Sequence, residues 1–126
     1  MDRTLKILVL DDHVDVAESV GDVLELRGHK VTLAHSGLSA VDAFRAGDFD
    51  FGFFDVKMPG MNGVESFIEI RKMKPDAKVM MMSGYADDSL IARAMAAGAL
   101  GLIKKPFDVD DLLAKLDEMV GSAVAA

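Results

Sequence analysis

Three aspartates, one serine and one lysine carry the chemistry available to this sequence. Asp11 and Asp12 follow the apolar run 6–10, and Asp55 follows the run 51–54. Ser83 comes directly after the run 78–82, and Lys105 lies just beyond the run 100–103. Carboxylates gathered in one place repel one another and need a counter-charge at neutral pH. Oxygen ligands of this type suit Mg²⁺, a hard ion that keeps some waters and often shares its shell with a phosphate. Mn²⁺ accepts the same ligands and is the expected substitute. A hydroxyl and an ammonium are what the anionic oxygens of a phosphoryl group would want around them. A carboxylate can also attack phosphorus itself and form an acyl phosphate. The chemistry that fits is phosphoryl transfer to an aspartate, with Asp55 as the acceptor.

Each residue also has a plainer explanation. Asp11 and Asp12 could cap the helix that follows them, because Asp is a favoured N-cap. Asp55 precedes a Pro-Gly loop and could be a turn residue. Ser83-Gly84 is a common turn pair, and a lone lysine such as Lys105 is solvated in most proteins. The Met80-Met81-Met82 run reads as core packing in a strand, not as a soft-metal site. His13, His29 and His35 are scattered without ligand spacing, so zinc is not expected. There is no cysteine, which excludes disulfides and thiolate metal sites. The functional reading is favoured because five suitable groups fall at four strand ends.

The elements that would position these groups follow from periodicity. The run 6–10 is β-branched and apolar and reads as a buried strand. Val16, Val20, Val23 and Leu24 recur at helical spacing up to Gly28. A second strand covers 30–35. Ser36-Gly37 opens a helix with Ala40, Val41 and Phe44 on one face, closed at Gly47. The third strand, 51–54, delivers Asp55 to the loop Lys57-Met58-Pro59-Gly60-Met61-Asn62-Gly63, rich in turn residues. Val64, Phe67, Ile68 and Arg71 mark a third helix, ended before Pro75. A fourth strand covers 78–82, and Leu90, Ile91, Ala94 and Met95 are expected to face inward from a fourth helix. The fifth strand covers 100–103. The last helix carries Leu112, Leu113, Leu116, Met119 and Val120. Five strands alternating with five helices imply an α/β fold, a parallel sheet covered on both faces. Ligands of such sheets bind beyond the carboxyl ends of the strands. Asp11, Asp12, Asp55, Ser83 and Lys105 all belong to that edge.

Composition sets the outer bounds. The 126 residues fit one domain, 1–126, with a core at about 5–120 and 121–126 as a frayed tail. With 51% hydrophobic and 28% charged residues the chain reads as globular. A formal net charge of −7 opposes direct nucleic-acid binding, where neutralisation of phosphates by Lys and Arg supplies most of the affinity. The first apolar run is too short for a signal-peptide core or a membrane span. No membrane association and a cytoplasmic location are therefore expected.

With these residues in place, the sequence resembles the receiver domain of two-component response regulators. The resemblance rests on Ile7-Leu8-Val9-Leu10-Asp11-Asp12, on Asp55 through Gly63, on Ser83-Gly84-Tyr85 and on Lys105-Pro106-Phe107, in order along the chain. It implies a flavodoxin-like doubly wound sheet of strand order 2-1-3-4-5. It also implies a phosphorylation-activated switch in a phosphorelay. Asp55 is then the phosphoacceptor, supplied by a histidine kinase or a histidine phosphotransfer protein. Asp11, Asp12 and Asp55 become metal carboxylates, and the backbone carbonyl of Lys57 a further ligand. Ser83 contacts one phosphoryl oxygen and Lys105 pairs with another. The Lys105–Pro106 bond is expected to be cis, against a general frequency of about 5–6% for such bonds. Such a domain is not a conventional multi-turnover enzyme, although it assists its own phosphorylation and dephosphorylation.

Two positions depart from the family pattern. The strand-five position where the family often has an inward-turning aromatic is Leu102 here, which cannot swing a ring and hydroxyl. Tyr85, two residues after Ser83, is expected to take part of that switching role. Lys57, two residues after Asp55, is expected to overhang the site and, with Tyr85, to set the lifetime of the phospho-aspartate. The resemblance implies an output face made of helix four, strand five and helix five, drawn from exposed positions within 87–98, 100–104 and 108–120. Its reader would be a downstream effector protein, a C-terminal output domain if the chain is excised, or a second copy on phosphorylation. Rival readings fit less well. A flavodoxin-like cofactor binder would want a phosphate-cradling loop where Asp11 and Asp12 stand. An aspartate-nucleophile phosphatase would want an acid at position 57. A phosphate-independent pseudo-receiver is the alternative that shares the most with the family reading, but would be expected to lose one of the five site residues.

Overall fold

The structure is a computed structural model that describes residues 4–84 and 88–125. Strands β1 (Lys6–Leu10), β2 (Lys30–Ala34), β3 (Phe51–Asp55), β4 (Val79–Ser83) and β5 (Gly101–Lys104) alternate with five helices. These are α1 (Val14–Leu26), α2 (Gly37–Ala46), α3 (Gly63–Met73), α4 (Asp88–Ala96) and α5 (Val109–Ala125). All strand pairs are parallel, and the order is β2-β1-β3-β4-β5, the flavodoxin-like arrangement expected. The chain reverses its direction of winding at β1, whose neighbours are β2 and β3. The carboxyl ends of β1 and β3 therefore face the crevice at which such sheets take ligands.

Alternation along the strands divides the core into two layers. Leu8, Leu10, Phe54 and Met81 point to one layer, where Val41 and Phe44 of α2, Val64, Phe67 and Ile70 of α3, and Ala94 of α4 cover them. Ile7, Val9, Phe51, Phe53, Met80 and Met82 point to the other, beneath α1 and α5. Central strands covered on both sides have no polar face to show. Every residue of β3 and β4 is buried, and the three methionines serve as packing, as expected.

Several element limits differ from the sequence reading. Strands β4 and β5 each begin and end one residue later than expected, so Ser83 is the last residue of β4 and not a turn residue. β2 ends at Ala34 and leaves His35 in the following loop. Helix α5 runs on through Gly121 to Ala125, where a frayed tail was expected. A single helical glycine costs about 1 kcal/mol, too little to end a helix already built from residue 109. Met95 is a correction: it is exposed, and Ala94 alone is fully buried on α4. At about 100° per residue, Met95 turns out of the narrow stripe of Leu90, Ala94 and Ala97 that touches the core. No helix among the described residues is long and apolar enough to cross a membrane.

Candidate functional site

Asp11 continues the parallel ladder one step past β1, its N–H donating to the Ala34 carbonyl at 3.1 Å. Its side chain is fully buried. Oδ1 accepts the His13 backbone N–H at 2.9 Å, and Oδ2 lies 2.5 Å from the Lys105 ammonium. Asp12 is half-buried, and its shielded Oδ1 accepts no hydrogen bond. Neither aspartate caps α1. The N-cap residue is His13, whose side chain makes no capping bond.

Asp55 ends β3 with its side chain 7% exposed and its Oδ1 3.4 Å from Lys105 Nζ. The loop after it is closed by its own backbone, Gly63 N–H donating to the Val56 carbonyl at 3.2 Å. A Cβ at residue 63 would collide with the Asp55 carbonyl oxygen, so only glycine lets α3 begin this close to the site. Asn62 secures that start through a capping box. Its Oδ1 accepts from Glu65 N–H at 2.9 Å while Glu65 Oε1 accepts from Asn62 N–H at 3.0 Å. Lys57 is exposed at the rim of this loop.

Ser83 and Lys105 arrive from the neighbouring strand ends. Ser83 is buried, and its carbonyl accepts the Lys105 N–H at 2.8 Å, extending the β4–β5 pairing by one residue. The Lys105–Pro106 bond is cis, as the resemblance implied. Asp11, Asp12, Asp55 and Lys105 thus converge, with Lys105 bridging Asp11 and Asp55, while Ser83 ends the neighbouring strand β4. Leu102 lies apart, half-buried against the α4-side core layer. Tyr85 falls outside the described residues.

Burial dominates the electrostatics of Asp55. Loss of water pushes its carboxyl from 3.8 up to about 6. The Lys105 ammonium pulls it back, and the Asp11 and Asp12 carboxylates push it further up. A buried carboxylate with two others beside it and one ammonium between them is short of positive charge. One ligand atom each from Asp11, Asp12, His13 and Asp55 lie within 4.8 Å of one another. With Asp12 Oδ1 lacking a hydrogen-bond donor, this donor set fits a hard divalent cation.

Two histidines belong to this region, and sequence spacing did not place them there. His13 Nδ1 stands 3.3 Å from both Asp11 Oδ1 and Asp12 Oδ1. His35 Nδ1 lies 3.0 Å from the Asp11 carbonyl, which can only accept, so Nδ1 carries the proton in that bond. The adjacency of His13 to an aspartate pair was the available signal. His35 left none, because its partner is a main-chain atom 24 residues away.

The sequence pattern of the family described as "Response regulator receiver domain" matches residues 7–117. Among curated relatives, the transcriptional regulatory protein ZraR of Klebsiella oxytoca is 34% identical over 112 residues, 89% of this chain and 25% of ZraR. Sporulation initiation phosphotransferase F of Bacillus subtilis is 30% identical over 107 residues, 85% of this chain and 86% of that protein. The chain therefore spans about a quarter of the ZraR length but most of the phosphotransferase. Among solved structures, a CheY-like receiver domain protein from Methanospirillum hungatei JF-1 is similar with a TM-score of 0.91 at 29% identity, covering 98% of this chain and 100% of the other. NtrX from Brucella abortus, in complex with ATP, is similar with a TM-score of 0.89 at 29% identity, over 98% of this chain and 28% of NtrX.

Proposed function

The chain belongs to the response-regulator receiver family, and on that premise we propose that Asp55 is the residue that accepts the phosphoryl group. Receiver domains are phosphorylation-dependent signalling switches that interact with histidine kinases and output domains. In this chain an Asp55 carboxylate oxygen attacks the phosphorus of a phosphohistidine on a kinase or phosphotransfer protein. The new P–O bond forms as the P–N bond breaks, and the departing imidazole keeps the electron pair and takes a proton from water. Asp11, Asp12, Asp55 and the Lys57 carbonyl hold Mg²⁺. When bound, the ion supplies positive charge to the phosphoryl oxygens and relieves repulsion among the carboxylates. Lys105 pairs with one phosphoryl oxygen and the Ser83 hydroxyl with another. Each chain takes one group and loses it by hydrolysis, so the domain is a switch and not a multi-turnover enzyme. Lys57, exposed at the rim, and Tyr85, two residues after Ser83 in sequence, set how fast water reaches the acyl phosphate.

The observation that carries this reading is the Lys105 ammonium, 2.5 Å from Asp11 and 3.4 Å from Asp55. An arriving anion meets there a charge already aimed at its place. The signal leaves through the face of α4, β5 and α5 towards an effector, an output domain or a second copy, with Leu102 repacking beneath α4. The added phosphoryl charge biases a two-state equilibrium that exists beforehand.

The test is incubation with acetyl phosphate or beryllofluoride, with and without Mg²⁺, read by mass and by backbone NMR. A Mg²⁺-dependent response in the wild type that is lost in Asp55→Asn supports the proposal. Indistinguishable wild-type and mutant spectra would instead leave a phosphate-independent interaction module.

A further inference from the structure

We propose that His35 is a positioning residue for the Asp11 and Asp12 carboxylates, acting through the main chain of Asp11. The proposal rests on the reading that these carboxylates hold a divalent cation, and it concerns what aims them. His35 Nδ1 donates to the Asp11 carbonyl at 3.0 Å, from 24 positions away in sequence. The peptide that joins Asp11 to Asp12 is planar. Holding its carbonyl therefore fixes the direction in which the Asp12 Cα, and the carboxylate on it, leave the strand end. Asp12 depends on this, because its shielded Oδ1 accepts no hydrogen bond of its own. The Asp11 N–H in turn donates to the Ala34 carbonyl at 3.1 Å. Residues 34 and 35 thus grip Asp11 by both of its main-chain polar groups.

The segment that carries the ring is itself fixed. Ser36 caps α2, its Oγ accepting the Ser39 N–H at 3.1 Å and its own N–H donating to Ser39 Oγ at 3.2 Å. The Gly37 carbonyl accepts the buried Ser66 hydroxyl of α3 at 3.0 Å. A Cβ on Gly37 would strike the Met61 carbonyl, in the loop that follows Asp55. Residues 34–37 therefore brace the end of β1 against the loop after β3, and His35 is the side chain that reaches Asp11. The residue is exposed, so its ring adds no core burial and can be replaced at little cost in folding. Water can solvate the freed carbonyl but does not set its direction, so the loss falls on the alignment of the carboxylates.

The first measurement is the ring ¹⁵N pattern of the metal-free full chain at alkaline pH, where imidazole is neutral. A carbonyl can only accept, so the His35 ring must carry its proton on Nδ1. His29 supplies an internal contrast, because its Nδ1 accepts the Leu5 N–H at 3.1 Å and its own proton belongs on Nε2. Opposite tautomers at the two residues are expected, and a His35 protonated on Nε2 overturns the proposal. The second measurement is Mg²⁺ affinity by calorimetry in His35→Ala, His35→Gln and His35→Asn. The asparagine amide nitrogen takes the place of Nδ1, whereas that of glutamine lies one bond further out. The Mg²⁺ dissociation constant is expected to rise about three- to tenfold in the Ala and Gln variants and to stay within about twofold of wild type in the Asn variant. An unchanged constant in Ala and Gln, or an equal rise in all three, overturns the proposal. Asp12→Asn is the control for the site itself. If that change abolishes Mg²⁺ binding while His35→Ala leaves it unaltered, the His35 proposal alone fails. A wild type that takes up no Mg²⁺ removes the reading beneath it as well.

Discussion

Helices α3 and α4 cover the same face of the sheet, but they are held there very differently. α3 buries Gly63, Val64, Ser66, Phe67 and Ile70, whereas α4 buries Ala94 alone. α3 is also fastened at both ends. The Asn62–Glu65 capping box holds its start, and near its end Arg71 donates to the Gly98 carbonyl at 3.0 Å and to the Pro75 carbonyl. Ser66, fully buried, adds a 3.0 Å bond to the Gly37 carbonyl of α2. Full burial of one large apolar side chain is worth about 1.5–3 kcal/mol, so the two helices differ by several kcal/mol in attachment. The firmly held helix is the one whose first residue abuts the Asp55 carbonyl. The lightly held helix can shift at small cost, as elements that move in switching must.

The largest effect is expected from Phe67→Ala, which empties a fully buried site and removes the ring 5.4 Å beneath the Arg71 guanidinium. A loss of about 3–5 kcal/mol is expected, against about 1 kcal/mol for Leu90→Ala on α4, where the side chain is only half-buried. Urea denaturation of both variants checks the ratio, and equal losses would remove the contrast between the helices.

Asp55 comes next, because the firm side of the sheet carries one group that works against its own stability. Folding raises its pKa from 3.8 to about 6, so the folded chain binds that proton more tightly than the unfolded one. The associated stability is intact below about pH 3.8 and is lost as the pH rises through 6. A shift of roughly two units corresponds to about 3 kcal/mol at most. Asp55→Asn is therefore expected to stabilise the metal-free chain by about 2 kcal/mol at pH 8, with the gain shrinking at pH 4.5. A mutant no more stable than wild type at pH 8 would show that burial does not strain this carboxylate.

Arg71→Ala is the smallest change and the most local. The guanidinium ties α3 to the turn after α4, but its Nε is buried without a partner, which offsets part of what its two bonds contribute. A loss of about 1 kcal/mol is expected, with faster amide exchange in α4 and little change in α3. Uniform acceleration across both helices would mean that Arg71 is not what restrains α4.

Much of this molecule was legible in its sequence, and what was not has identifiable causes. Asp11, Asp55, Ser83 and Lys105 could be assigned to one edge of the sheet because parallel strands end abruptly in polar residues and the fold sends those ends there. The strand limits at β4 and β5 slipped by one residue because Ser83 and Lys104 are polar and yet still paired in the sheet. Met95 was misplaced because an apolar stripe read at helical spacing gives its direction but not its width. His13 was set aside because ligand spacing was sought among histidines, while its partners are two aspartates. The bond from His35 to Asp11 left no pattern, since any residue has a carbonyl.

The bridge from Lys105 to Asp11 joins residues 94 positions apart, and this bears on the order in which the protein can mature. Contacts of such separation close late, after most of the chain is ordered. During synthesis, Asp11, Asp12 and Asp55 emerge long before the ammonium that balances them. A nascent chain whose fifth strand is still inside the ribosome holds Asp55 without the Lys105 counter-charge. On the proposed reading, the pocket's charge balance is complete only once residue 105 has emerged and folded.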